Sequence, residues 1–229
     1  NDVLGVALNG GEGSPTPLNG APGVGFDGTM TALVTTLTAG GAKGAIANIP
    51  DVTKIPYFTT VPYNGLVLDA TQAAQLTAAY GGAVSFQAGQ NPFIIKEDGV
   101  TRPIKPTEYI LLTVPQNSLK CEGLGSITPI DDKYVISEAE LATIRDYTSS
   151  YNASIKAAAD AKGLAHADFN SYLNRLASGF TLNGVTYTST FVTGNVFSLD
   201  GIHFTQRGAA LVANEFIREI NETYNARIP

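Results

Sequence analysis

The sequence predicts an α/β fold built on a mainly parallel sheet with helices on its faces. Two stretches carry that prediction, because each places an amphipathic helix, a glycine stop and a short apolar run in succession. A third observation limits it: the segment 81–133 between them, with Pro92, Pro103, Pro106, Pro115 and Pro129, does not follow the alternation.

Residues 1–26 are rich in Gly, Pro and Asn and read as a loop. Met30, Leu33, Val34 and Leu37 then recur at i, i+3, i+4 and i+7, the stripe of an amphipathic helix. Asp27 is placed to cap its start, and Gly40-Gly41 to stop it. The apolar run 44–49, closed by Pro50, reads as a short buried strand. In the second succession, Ser137 and Glu140 have the spacing of a capping box. Leu141, Ile144, Tyr151 and Ile155 mark a long helix ending at Gly163, and residues 164–169 read as the next strand. Successive αβ pairs of this kind favour parallel strands. Segment 81–133 reads as an insertion that contributes one strand, Tyr109–Val114, and forms a wall or lid over a site. Residues 182–185 have the pattern of a tight hairpin turn. A final helix is capped by Thr205 and buries Leu211, Val212, Phe216, Ile217 and Ile220.

Composition excludes several classes of function. A chain of 229 residues with 44% hydrophobic and 15% charged residues can bury a sizeable core and is expected to fold as one domain. The formal charge of −6, with no Lys/Arg run, repels a phosphate backbone and argues against nucleic acid as a partner. No apolar stretch reaches the ~18 residues of a membrane-spanning helix. The lone Cys121 has no internal disulfide partner and no nucleophile or metal motif around it. The first residue is Asn rather than Met, so the chain is expected to be processed, trimmed or taken from an incomplete gene.

The chemistry-bearing segment is Phe197-Ser-Leu-Asp-Gly-Ile-His-Phe-Thr-Gln-Arg-Gly208. The chain has only two histidines, and His203 stands three residues after Asp200, just before a capped helix. In a turn, that spacing lets the Asp200 carboxylate accept a hydrogen bond from one imidazole nitrogen and leaves the other free to act as a base. The carboxylate would also stabilise the imidazolium formed when a serine gives up its proton. Asp-x-x-His arises often by chance, and the plainer reading makes Asp200 a turn cap and His203 a surface residue.

The wider block shifts that balance. Asp200-Gly-Ile-His-Phe-Thr-Gln-Arg-Gly208, opening the last long helix, closely resembles the final block of SGNH/GDSL hydrolases. Asn1-Asp2-Val3-Leu4-Gly5 resembles the residues after the glycine of that family's Gly-x-Asn-Asp block, and Ala45–Asp51 resembles its next core strand and exit. The resemblance implies a three-layer, doubly wound parallel sheet of flavodoxin-like order. It implies carboxylic-ester hydrolysis, with His203 as base then acid, Asp200 orienting it, and Asn1 lining the oxyanion hole. It implies no metal or organic cofactor, a small ester such as a lipid or an acylated sugar as substrate, and a bacterial periplasmic, cell-surface or secreted setting. The chain departs from the pattern in holding neither Gly-Asp-Ser nor Gly-x-Ser-x-Gly. The nucleophile strand, the second block's glycine and the third strand are therefore expected to be missing, and this chain alone is expected to be inactive. A sheet edge left open in this way would be a template for a second copy of the chain.

Other polar residues read as structural. His166 is expected to be a satisfied histidine inside a strand, Asp51 a turn cap, and Asp131-Asp132 solvated acids. Asp168 lies where α/β sheets place their sites. Tyr57, Phe58, Tyr63 and Tyr80 are expected to cover the core rather than line a pocket, and the sequons at Asn152 and Asn221 fall on predicted helices. Two rival readings stay open. One is a binding or packing module that keeps the fold without catalysis, favoured if Asp200 and His203 lie too far apart to bond. The other is a self-sufficient hydrolase using Ser14 or Ser126, favoured if a serine hydroxyl reaches His203.

Overall fold

The structure is a computed structural model, and residues 2–229 are described. Asp2–Leu8 form α1, so the expected N-terminal loop begins with a helix whose Val3, Val6 and Ala7 are buried. Three spaced apolar residues suffice for a two-turn helix once the rest of the molecule covers them. Phe26–Leu37 form α2. Gly25, rather than Asp27, occupies its N-cap. Asp27 lies in the first turn and accepts a hydrogen bond from the Ser154 hydroxyl. The face of α2 turned towards residues 154–161 carries Asp27, Thr31, Val34 and Thr35. Leu33 and Leu37 of the predicted stripe are consequently 52% and 73% exposed.

Ala45–Ala47 form β1, and Pro56–Thr59 form the short helix α3. Asp51 caps the turn between them, accepting from the Thr53 N–H at 3.0 Å and the Thr53 hydroxyl at 2.6 Å. A run of small elements follows: β2 (Leu66–Leu68), α4 (Ala70–Ala79), β3 (Gly89–Asn91), β4 (Ile94–Glu97), β5 (Val100–Pro103), β6 (Tyr109–Ile110), α5 (Gln116–Cys121), β7 (Ile130–Asp131) and β8 (Val135–Ile136). β2 pairs with β3, β6 with β8, and β4 lies between antiparallel β5 and parallel β7. The predicted strand 109–114 is only two residues long. Val114 N–H turns back to the Leu111 carbonyl at 3.0 Å, which ends the extended run. This part has its own apolar clusters, one around Phe93, Ile95, Ile110 and Ile130, another around Leu76, Phe86 and Ile94. Tyr63 and Tyr80 pack against these clusters, whereas Tyr57 and Phe58 belong to the main core.

The long helix α6 runs Glu138–Lys162 with both halves of the Ser137/Glu140 capping box formed, and Gly163 ends it in the left-handed conformation. β9 (Ala165–Ala167), α7 (Phe169–Ser178), the hairpin β10 (Phe180–Leu182) and β11 (Val185–Tyr187), and α8 (Gln206–Tyr224) complete the chain. Asn183 and Gly184 both take positive φ at the hairpin tip, as a two-residue turn requires. β1 and β9 pair in parallel, Ile46 opposite His166, and α6 and α8 both pack on the pair. The Tyr224 hydroxyl, at the end of α8, ties the starts of the two strands together. It donates to the Gly44 carbonyl at 2.7 Å and accepts from the Ala165 N–H at 3.3 Å.

The class is therefore mixed α/β, as expected, but among the described residues the β1–β9 parallel sheet has two strands and the other sheets are small. The second edge of β1 has no strand beside it among the described residues, and Ala45 on that strand is exposed. The main core lies around this pair and includes Val3, Tyr57, Leu141, Tyr151, Leu173, Phe197 and Leu211. Among the described residues, no helix is long and apolar enough to cross a membrane.

Candidate functional site

The loop 195–205 is anchored at both ends before it presents any chemistry. Val196 and Phe197 are buried, and Phe197 and Phe204 form an antiparallel bridge with ring centroids 5.2 Å apart. The Ser198 N–H donates to the His203 carbonyl at 2.8 Å and the Thr205 N–H to the Val196 carbonyl at 2.8 Å. Residues 198–203 thus form a closed excursion on a fixed stem. Gly201 turns it with φ +73°, and a Cβ there would sit 2.9 Å from the Tyr57 nitrogen. The Tyr57 N–H donates to the Gly201 carbonyl at 3.0 Å, so α3 braces the tip. Behind the loop, a Cβ on Gly208 would meet the Val196 carbonyl at 2.3 Å, so only glycine lets α8 start this close.

Within that frame Asp200 and His203 meet. Asp200 Oδ2 lies 2.6 Å from His203 Nδ1. The other carboxylate oxygen accepts from the Ser198 hydroxyl at 2.6 Å and from the backbone N–H groups of Ile202 and His203, each at 2.9 Å. The Ser198 hydroxyl, then the Ile202 N–H, hold the Asp200 carboxyl well below the usual carboxylate range, against a smaller opposing effect of burial. An ionised Asp200 makes Nδ1 the donor and leaves the lone pair on Nε2. The imidazole side chain is 79% exposed. Among the described residues, no hydroxyl is hydrogen-bonded to Nε2. Ser126, one of the two serines considered as an internal nucleophile, instead donates to the Gly123 carbonyl at 2.9 Å. Asn1 lies outside the described residues.

An apolar cavity of about 340 Å³ adjoins the loop, lined by Phe197, Ile202 and Phe204 and closed by Leu4, Leu173 and Leu211.

The other candidate positions are structural. Asp168 caps α7 and accepts from the Ser171 N–H at 3.1 Å, the Ser171 hydroxyl at 2.7 Å and the Asn48 amide at 2.7 Å. Burial opposes its ionisation, but the Asn48 and Ser171 hydrogen bonds outweigh it and hold the carboxyl below its ordinary value. His166 departs from expectation. Its Nε2 is buried without a hydrogen-bond partner among the described residues, so it is not a satisfied histidine. Sequence reasoning missed Ser198. Its signal is a hydroxyl two residues ahead of an aspartate in a turn, a local side-chain arrangement too common to stand out.

A comparison with known protein families, curated proteins and solved structures finds no match.

Proposed function

We propose that this chain carries the His-Asp half of a serine-hydrolase triad acting on carboxylic esters, with the serine supplied from outside these residues. The observation that carries this reading is the 2.6 Å contact between Asp200 Oδ2 and His203 Nδ1, with Nε2 turned free and exposed. In the reaction, His203 Nε2 takes the serine proton as the hydroxyl oxygen attacks the ester carbonyl. It returns that proton to the departing alcohol, and water then releases the acid by the same exchange. Asp200 positions the ring and stabilises the imidazolium. The cavity beneath Ile202 and Phe204 offers apolar surface for an acyl chain. The β1 edge would take the further strands of a doubly wound sheet, and Asn1 would help hold the oxyanion.

The test is turnover of p-nitrophenyl acetate by this chain and by a longer form carrying a Gly-Asp-Ser block ahead of Asn1, each with and without His203→Ala. Turnover by the longer form alone, abolished by the substitution, is the expected result. His203-dependent turnover by the chain alone would place the nucleophile within these residues. No His203-dependent turnover in either form would favour the binding-module reading.

A further inference from the structure

Asp200 and His203 work as a pair only while the carboxylate keeps one oxygen aimed at the ring, and little of that aim comes from the pair itself. Both side chains face solvent, the imidazole 79% and the carboxylate 45% exposed. Exposed groups of opposite charge hold one another weakly, because water competes for each of them. The last torsion of an aspartate is also broad, so the carboxylate turns easily unless its second oxygen is held.

Ser198 holds that oxygen from the anchored side of the loop. Asp200 Oδ1 accepts from the Ser198 hydroxyl at 2.6 Å and from the N–H groups of Ile202 and His203, each at 2.9 Å. The two N–H groups come from the excursion past Gly201, whereas Ser198 belongs to the stem. It follows the buried Phe197, its N–H donates to the His203 carbonyl at 2.8 Å, and its own carbonyl accepts from the Gly201 N–H at 3.0 Å. The hydroxyl therefore ties the carboxylate to a part of the loop that is fixed in the core. With Oδ1 occupied by these donors, Oδ2 is left to accept from Nδ1, and Nε2 keeps its lone pair. The hydroxyl is also the foremost cause that keeps Asp200 ionised, and hence an acceptor. Spent on Asp200, it is a donor to the carboxylate and not the attacking nucleophile.

We infer that Ser198 is a positioning residue for this pair, fixing through Asp200 which nitrogen of His203 carries the proton. Its part in ester hydrolysis rests on the esterase reading; its control of the ring does not.

The experiment compares Ser198→Ala, Ser198→Cys and Ser198→Thr with the parent, each checked for folding by circular dichroism. In the 229-residue chain, the ring nitrogen chemical shifts of His203 are read on the neutral ring at alkaline pH. The parent and Ser198→Thr are expected to show a single tautomer with the proton on Nδ1. Ser198→Ala is expected to show the averaged shifts of a mixture, and so is the near-isosteric Ser198→Cys, since a thiol is a weak donor. In the serine-bearing longer form, the Ala and Cys variants are expected to lose roughly tenfold in kcat with KM little changed, and Ser198→Thr to recover most of it. The inference is overturned if the Ala and Cys variants keep the single tautomer, if the parent already shows a mixture, or if Ser198→Thr behaves as Ser198→Ala does. A longer form with no His203-dependent turnover defeats the esterase reading instead, and the ring shifts, which need no nucleophile, still decide whether Ser198 sets the tautomer.

Discussion

The two histidines of this chain each lie close to an aspartate, and the two neighbourhoods do opposite things. In the first, Asp168 follows His166 by two residues and spends its carboxylate on the N-terminus of α7 and on the Asn48 amide. The histidine ring is left out, its Nε2 buried without a partner among the described residues. In the second, Asp200 precedes His203 by three residues, and one carboxylate oxygen takes all the local donors while the other takes the ring. The difference follows from backbone geometry. Alternation along β9 and the start of α7 set the directions of His166 and Asp168, whereas the turn at Gly201 folds Asp200 and His203 onto each other. Proximity in sequence makes an Asp-His pair only when the backbone between them turns.

The sharpest way to break this contrast is to remove each ring from the serine-bearing longer form. His203→Ala is expected to lower kcat for p-nitrophenyl acetate by a factor on the order of 10⁴–10⁶. His166→Ala should leave it nearly unchanged; equal losses would dissolve the distinction. The aspartates come next. Asp200→Asn is expected to cost about 10⁴ in kcat, because the amide no longer enforces the working tautomer. Asp168→Asn should not approach that loss.

Stability should separate the same two residues in the other direction. Asp168→Ala removes a helix cap and strands the Asn48 amide, an expected loss of about 1–3 kcal/mol. Thermal denaturation would read this as roughly 2–4 °C per kcal/mol for a chain of this size, and an unchanged Tm would show that α7 does not need its cap. The loss is tied to pH. Asp168 ionises more readily in the folded protein than in the unfolded one. Its stabilisation is therefore complete above the unfolded pKa of about 4 and fades as pH falls through the lowered folded value. The Tm gap between the parent and Asp168→Asn should accordingly narrow in acid below about pH 4. A gap that widened there would reverse the assigned sign. The smallest effect is expected at His166. Replacing a ring with an unpartnered buried nitrogen by leucine should leave stability within about 1 kcal/mol or raise it. A larger loss by chemical denaturation would reveal a partner for Nε2.

Local rules of one or two turns carried furthest in the sequence. The Ser137/Glu140 box, the Gly163 stop, the Thr205 cap and the Asn183-Gly184 turn each rest on a few adjacent residues, and each formed where expected. The contact between Asp200 and His203 was legible for the same reason. The α2 stripe failed because periodicity says which residues share a face, not which face meets a neighbour. The Asp27–Ser154 contact turned α2 so that Val34 is buried and Leu37 is not. The helix at residues 2–8 was hidden too, since its buried face depends on partners far away in the chain, whereas the Asp168 cap, a local contact to Ser171, was masked by reading 164–169 as one strand.

Sequence alone therefore determined the class of the fold, both ends of α6, the start of α8 and the pairing of Asp200 with His203, because those follow from short-range geometry. Only the tertiary structure decided that His166 Nε2 is buried without a partner among the described residues, that α2 buries Val34 and exposes Leu37, and that α3 braces the loop at Gly201. Each of these depends on which elements approach one another, and such approaches are set by the packing of the whole core rather than by any segment's own pattern.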